Sequence, residues 1–306
     1  MGQESKFTWM DGKLVESDKA VMPFLNGAAH YGASVFEGIR CYDTPKGPAV
    51  FRLKKHIERL IESALIFGCK NLPYSVDDLC QATIDVVNAN GFKECYIRPL
   101  IYTVGAMGLN LDAYQISAGI AAWEWGAYLG PEARMAGIKA TVSSFTRHHI
   151  NATMTKAKVA GNYANSIMAK TNAIRMGFDE AIMLDGQGYV AECTGENLFI
   201  VRNNKIITTP SAPVLEGITR NSILTLADDL GIEKVEAPIS RDQLYIADEV
   251  FLCGTAAELV AITEIDFHTI GIGKMGPMAT KLQEVYDQEI HGKGKHAKEW
   301  LAYCKA

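Results

Sequence analysis

The stretch TMTKAKVAGNYANS, residues 153–166, sets two lysines, Lys156 and Lys158, two positions apart in a run of small uncharged residues. Gly161-Asn162-Tyr163 follows directly. From Ile150 onward there is no helical apolar spacing, so an extended strand is expected with both lysines on one face. Surface lysines far outnumber buried ones, and on spacing alone a solvated pair is the simpler reading. A functional reading needs an amine that is free near neutral pH. Its ordinary pKa of about 10.4 must then be lowered by burial or a neighbouring cation. Such an amine can condense with a carbonyl carbon. Spacing does not choose between the two lysines.

The chain around this stretch is that of a globular protein with a substantial core. Its 306 residues suit two domains of ordinary size, with 48% apolar and 21% charged residues. A net charge of −5 gives no electrostatic reason to expect nucleic acid or an anionic membrane as partner. Seven cysteines, at 41, 69, 80, 95, 193, 253 and 304, form no CxxC pair. An odd, scattered set argues against a disulfide framework and against zinc, and no metal is expected. The opening MGQESKFTWMDG has neither the basic nor the apolar region of a secretory signal, and Glu124 interrupts the best apolar run. A cytoplasmic protein is expected.

Periodicity divides the chain into three parts. A small N-terminal α/β domain is expected over 1–124, an interdomain linker over 125–137, and a larger α+β domain over 138–306. The linker assignment rests on WGAYLGPEARMAG, rich in glycine and containing Pro131. Asp11-Gly12 between Phe7–Met10 and Lys13–Val15 predicts a hairpin with a type I′ turn. Ser34–Tyr42 and Ala49–Leu53 read as strands, and so do 94–104 and 116–123. Residues 54–67 carry an apolar face at helical spacing, and Ser75 with Asp78 predicts a capping box for the next helix. In the second part, short strands turn at Asp185-Gly186 and Asn203-Asn204. Gly217-Ile218-Thr219 opens a helix, Ser240 and Gln243 cap another, and Glu249–Cys253 is a buried strand.

Two motifs invite overreading. Gly271-Ile272-Gly273-Lys274-Met275-Gly276 matches GxGxxG, yet it lies near the C-terminus with Pro277 directly after it, outside any βαβ context. A loop is the better reading than a dinucleotide site. His148-His149 point to opposite faces of a strand without a nearby carboxylate or cysteine, so solvated histidines are expected.

Eight motifs, one of them within the opening stretch, occur along the chain. KVAGNYANS (158–166), ECTGENLF (192–199), EGITR (216–220) and CGTAAE (253–258) together resemble the large domain of the fold-type IV pyridoxal-phosphate enzymes. HYGASVFEGIR (30–40), HIERL (56–60), YIRPL (96–100) and WGAYLG (125–130) are similar to the branched-chain amino-acid aminotransferases in particular. The similarity runs from about Trp9 to Tyr286.

The resemblance implies a two-domain fold whose larger domain carries a pseudo-barrel of strands, with pyridoxal 5′-phosphate as cofactor. By it, Lys158, three positions before the Gly-Asn-Tyr, is the lysine bound covalently to the cofactor, and Lys156 matches no motif position. Glu192 matches the carboxylate that pairs with the pyridine nitrogen, where an anion keeps the ring protonated. Tyr163 matches the phenol bonded to the cofactor O3′. Arg59 matches the phosphate cation, joined by the amides of Ile218 and Thr219 after Gly217, with the Thr219 and Thr255 hydroxyls. Leu215 matches the apolar residue on the ring face. For the substrate, Tyr96 and the amides of Thr255 and Ala256 match the α-carboxylate site. Tyr31, Phe36, Gly38, Trp125 and Tyr128 match the side-chain pocket. Leu109 is expected from a partner subunit, so the assembly is at least a homodimer, with a hexamer open. Arg98 is expected to take the γ-carboxylate of glutamate, a task suited to guanidinium.

The implied reaction moves the amino group of an L-branched-chain amino acid to 2-oxoglutarate by a ping-pong route. Glu124 and the loop at 104–115 depart from the family pattern and bear on the preferred substrate. Rival readings are a D-amino-acid or amine transaminase on the same fold, a nicotinamide-dependent dehydrogenase using GxGxxG, and a non-catalytic binding protein.

Overall fold

The computed structural model describes residues 5–126, 128–130 and 132–304. Ala127 and Pro131 of the expected linker lie outside the described residues. The chain forms two compact units. One contains the described residues up to Trp125, then Lys156–Asn162, and the segment from Gln288 onward; the other contains those of Gly126–Thr155 and Tyr163–Asp287. Two segments from the C-terminal half, one of them carrying Lys158, thus belong to the first unit. Long-range pairing explains this, because Val159 bridges Val35 and Leu301–Tyr303 pairs with Ala49–Phe51. Local periodicity carries no trace of either contact.

The first unit is built on an antiparallel sheet. Its strand order is Leu301–Tyr303, Ala49–Phe51, Ile39–Tyr42, Cys95–Val104, Gln115–Trp123, Phe7–Met10 and Lys13–Glu16, with Ser34–Phe36 also paired to Cys95–Val104. The hairpin is as expected: Asp11 and Gly12 have φ of 44° and 97°, the pair of positive values that a type I′ turn requires. Helix Leu53–Phe67 buries Leu53, Ile57, Leu60 and Ala64 against helix Val76–Asn90 and the sheet, and the Ser75–Asp78 capping box starts the latter helix. The expected single strand Ser34–Tyr42 is in fact two, Ser34–Phe36 and Ile39–Tyr42. The chain breaks at Glu37-Gly38, where the carboxylate turns inward and the glycine admits the Tyr96 hydroxyl; a Cβ on Gly38 would sit 1.9 Å from that oxygen.

The second unit has a mixed nine-stranded sheet among the described residues. It runs Val190–Cys193, Glu180–Leu184, Ile138–Val142, Glu258–Ile265, Glu249–Gly254, Asn197–Arg202, Lys205–Thr208 and Lys234–Glu236, with His268–Thr269 beside Glu258–Ile265. Ile138–Val142 pairs in parallel with both neighbours. Asn203 and Asn204, at φ 51° and 62°, close the hairpin between Asn197–Arg202 and Lys205–Thr208. The core combines Ile182, Leu198, Ile200, Leu252 and Ile262 with Ile239 and Leu244, next to the short helix Arg241–Tyr245 that Ser240 and Gln243 cap. No helix among the described residues is long and apolar enough to cross a membrane.

Candidate active site

In the first unit, the inward turn at Glu37 sets up a buried ionic network. Glu37 is fully buried, and its Oε1 accepts from Nε of Arg59 at 2.6 Å while Oε2 takes Nη2 at 2.8 Å. His56 Nδ1 lies 2.7 Å from the same Oε2. His56 and Arg59 are three residues apart on helix Leu53–Phe67, so both present to one face. Burial alone would raise the Glu37 pKa, but the Arg59 guanidinium and His56 outweigh it and hold the carboxyl well below the usual range. Burial pushes His56 below its ordinary value against the pull of Glu37. The resemblance assigns Arg59 to a phosphate but does not foresee Glu37, which holds its Nε and Nη2, or His56, which bonds the same carboxylate.

The segment carrying the lysine pair is not a regular strand. A one-turn helix, Ile150–Thr153, precedes it, a turn contains Lys156, and only Val159 makes a bridge. Burial alternates, with Thr155, Ala157 and Val159 buried and Lys156 and Lys158 half-buried, in a turn rather than the expected extended strand. Lys158 is anchored by its backbone: its N–H donates to Ser63 Oγ at 3.0 Å and its carbonyl accepts from Phe36 N at 3.1 Å. Gly161 packs on Gly32 so closely that a Cβ at Gly32, whose φ is +66°, would come within 2.7 Å of the Gly161 Cα. That backbone contact explains the glycine of the motif. The Nζ of Lys158 stands 4.9 Å from the centre of the Phe36 ring.

Phe36 also faces Arg98, whose Cζ is 4.6 Å from the same ring centre. Tyr96 and Arg98 point to one face of Cys95–Val104, and Tyr96 lies opposite Trp123 in the neighbouring strand. The guanidinium lies 5.3 Å from the Tyr96 ring and 5.9 Å from the Trp123 ring, and Nη2 donates to Tyr96 Oη at 3.1 Å. Trp125 meets Tyr96 edge-on at 4.6 Å. Arg98 makes no ion pair among the described residues, and its Nε is buried without a hydrogen-bond partner. Tyr31, ending helix Gly27–Tyr31, is exposed, and Leu109 is 89% exposed.

The second unit holds the other expected residues. Glu192, on Val190–Cys193, is buried; its Oε1 accepts from Arg147 Nε at 2.6 Å and its Oε2 from Asn197 Nδ2 at 3.3 Å. The same Nδ2 donates to the Leu215 carbonyl at 3.0 Å, which ties Leu215 to Glu192. A Cβ on Gly217 would lie 1.9 Å from Asn197 Oδ1, so any side chain there must displace the Asn197 amide. Arg147 and Asn197 were not foreseen. Asn197 lies within the ECTGENLF motif, whereas Arg147 is 45 positions from Glu192 and meets it only in space. Arg147 Nη1 also donates to Nδ1 of His148 at 2.7 Å. His148 is half-buried rather than solvated: burial, then the neighbouring Arg147, lowers its pKa to about 4. His149 is exposed, as expected.

Two helix starts differ in what fills them. Helix Ile218–Asp229 follows Gly217 without a side-chain cap, so its first-turn amides are available to an anion. Helix Pro277–Ile290, after the GxGxxG loop, already has its anion: Glu249 accepts from Met278 N at 2.9 Å and Ala279 N at 2.8 Å. A Cβ on Gly276 would lie 2.2 Å from the Glu249 carboxyl carbon. The loop reading therefore holds, and the carboxylate leaves no place for a pyrophosphate. Tyr163 heads helix Tyr163–Arg175, Tyr128 packs on the core of this unit under the Lys170 ammonium, and Thr255 and Ala256 sit half-buried between Glu249–Gly254 and Glu258–Ile265.

Residues 34–265 match the family model described as amino-transferase class IV. The chain is 47% identical over 306 residues to the branched-chain-amino-acid aminotransferase of Pseudomonas aeruginosa, covering 100% of this chain and 99% of that one. Among solved structures, the branched-chain amino acid aminotransferase of Escherichia coli superposes with a TM-score of 0.95 at 42% identity, over 98% of this chain and 100% of that one. The branched-chain amino acid aminotransferase of Thermobaculum terrenum, in its PLP-form, gives a TM-score of 0.93 at 33% identity, over 99% of each chain.

Proposed function

The chain belongs to the class IV aminotransferases, among the branched-chain-amino-acid aminotransferases of fold type IV, and from that membership we propose its reaction. It transfers the amino group of L-leucine, L-isoleucine or L-valine to 2-oxoglutarate by a ping-pong route, giving a 2-oxo acid and L-glutamate. Pyridoxal 5′-phosphate is the cofactor. The observation that carries the reading is the Phe36 ring, which meets a lysine amine at 4.9 Å and an arginine at 4.6 Å. On this reading the Lys158 amine at that ring is the nucleophile and the Arg98 guanidinium the carboxylate-binding cation.

The donor set fits the cofactor. An uncapped helix start at Ile218-Thr219 offers amides to a phosphate, and Arg59 and the Thr219 and Thr255 hydroxyls are the further donors that would hold it. Glu192, ion-paired with Arg147, would face the pyridine nitrogen, and Tyr163 and Leu215 would hold the ring. When bound, the group supplies an electron sink for the bond broken at the substrate Cα. Lys158 would hold the group covalently, and its amine would move the proton at the substrate Cα. Tyr96 and the Thr255 and Ala256 amides take the α-carboxylate, while Phe36, Tyr31, Gly38, Trp125 and Tyr128 shape the side-chain pocket. Leu109, exposed in its own chain, reaches a partner's site in an assembly that is at least a homodimer. The protein works in the cytoplasm.

The visible spectrum tests this. Purified protein given pyridoxal phosphate should show a yellow band that Lys158→Ala abolishes and Lys156→Ala retains. Absence of the band in the wild-type protein would overturn the cofactor reading. Turnover of L-leucine but not D-alanine separates the proposed substrate from the D-amino-acid alternative.

A further inference from the structure

Arg98 is a cation held without a counter-charge. Among the described residues it has no carboxylate partner, and its buried Nε donates to nothing. Leaving a buried donor unmade costs stability, so such an arrangement persists only where something else stabilises it or a ligand completes it. The stabilising element is aromatic. Phe36, Tyr96 and Trp123 all lie within cation–π reach, at 4.6, 5.3 and 5.9 Å.

These three walls are not equivalent. Phe36 also meets Lys158, and Tyr96 already has work for its hydroxyl, being donated to by Arg98 Nη2 at 3.1 Å. Trp123 has neither duty. It stands opposite Tyr96 across the strand pair, with ring centres 5.1 Å apart, and 5.8 Å from Trp125. Its indole backs both the guanidinium and the phenol that the guanidinium bonds. Trp is also the aromatic ring that attracts a cation most strongly.

We propose that Trp123 is a specificity-determining positioning residue: its indole holds the Arg98 guanidinium in the aromatic cage, poised to take the side-chain carboxylate of a dicarboxylic substrate. The inference deepens the proposed transamination and rests on its assignment of the pocket. A branched-chain substrate asks nothing of Arg98 beyond its place against the rings. A five-carbon dicarboxylate needs the fork fixed in direction, because a bidentate contact depends on the plane of the guanidinium. Loss of the indole should therefore be felt by one substrate class and not by the other.

Two unreactive ligands separate the classes: glutarate, a dicarboxylate, and 4-methylvalerate, a branched monocarboxylate. Their binding to the pyridoxal-phosphate holoenzyme is measured by calorimetry for wild type, Trp123→Leu and Trp123→Phe. Trp123→Leu should weaken glutarate about 10-fold or more, as one cation–π contact warrants, and change 4-methylvalerate by less than about 2-fold. Trp123→Phe should recover most of the glutarate affinity. The KM for 2-oxoglutarate should rise in Trp123→Leu in the same proportion, with that for L-leucine unmoved. Equal weakening of both ligands, or no loss of glutarate, would overturn the inference. A wild-type protein that binds glutarate through this cage yet fails to transaminate L-leucine would instead sink the proposed reaction and leave the cage standing.

Discussion

Glu37 grips Arg59 through both ends of its carboxylate, at 2.6 and 2.8 Å, from a position with no solvent access. Nε and Nη2 are fixed on the carboxylate, and the orientation of Nη1, the edge that the proposed site gives to a phosphate, follows because the guanidinium is planar. Glu37→Gln keeps the shape and removes the charge. Breaking a buried pair in this way should cost ~3–5 kcal/mol. It should also weaken pyridoxal phosphate binding, read by denaturant melts and by cofactor titration of the apo-protein. Unchanged stability and unchanged cofactor affinity would refute the role given to the network.

The same pair has a pH signature. With its folded pKa below the ordinary 4.5, Glu37 contributes stability that is full above pH 4.5 and is lost as pH falls through the folded value. His56, whose folded pKa is below 6.5, acts in the same direction, since the unfolded chain gains the proton first. Stability of the wild type should therefore fall as pH drops below 6.5 and more steeply below 4.5. Glu37→Gln should flatten the lower part of that curve.

Glu196 should behave in the opposite sense. Burial, then the charge of Glu180, raises its pKa to about 8, so the folded protein keeps a proton that the unfolded chain has released above pH 4.5. Its contribution therefore turns unfavourable between pH 4.5 and 8. Glu196→Gln keeps an acceptor for the Gly195 amide, bonded at 3.1 Å, and carries no titrating group. Melting temperature at pH 8 should rise in the variant and match wild type near pH 4.5. A lower melting temperature at pH 8 would mean that the carboxylate is stabilised by contacts outweighing its burial.

Arg147 is needed as an arginine. Arg147→Leu leaves Glu192 buried without its cation, and should cost ~3–5 kcal/mol together with much of the cofactor affinity. Arg147→Lys restores charge but not the planar donors that bond Glu192 and His148 at once, so recovery should be partial. Full recovery in the lysine variant, by melting temperature and cofactor titration, would show that charge alone matters.

Gly217→Ala is the smallest change expected to reach Glu192 indirectly. The added Cβ would occupy the place of Asn197 Oδ1, 1.9 Å away, and push aside the amide that joins Leu215 to Glu192. Cofactor affinity should drop about 10-fold, equivalent to one hydrogen bond to a charged group, while the fold survives. An unaltered titration would show that the asparagine has room to move.

What the sequence determined by itself was local. The hairpin at Asp11-Gly12 and the capping boxes at Ser75 and Ser240 are written in residues that touch within a few positions, and so is the helix opening at Gly217. The ordered motifs around Lys158 and Glu192 supplied the family. The lysine pair was symmetrical by spacing, and the motif, not the period of a strand, separated its members. Only the tertiary structure decided what holds these groups in place. Glu37 meets His56 and Arg59 because a strand breaks and turns its side chain inward. Arg147 meets Glu192 across 45 residues, and Trp123 meets Arg98 through the register of two strands. Such contacts join residues whose separation along the chain says nothing of their separation in space. A cation, a buried carboxylate and an indole look the same in a sequence whether they are solvated, structural or functional; burial and direction distinguish them.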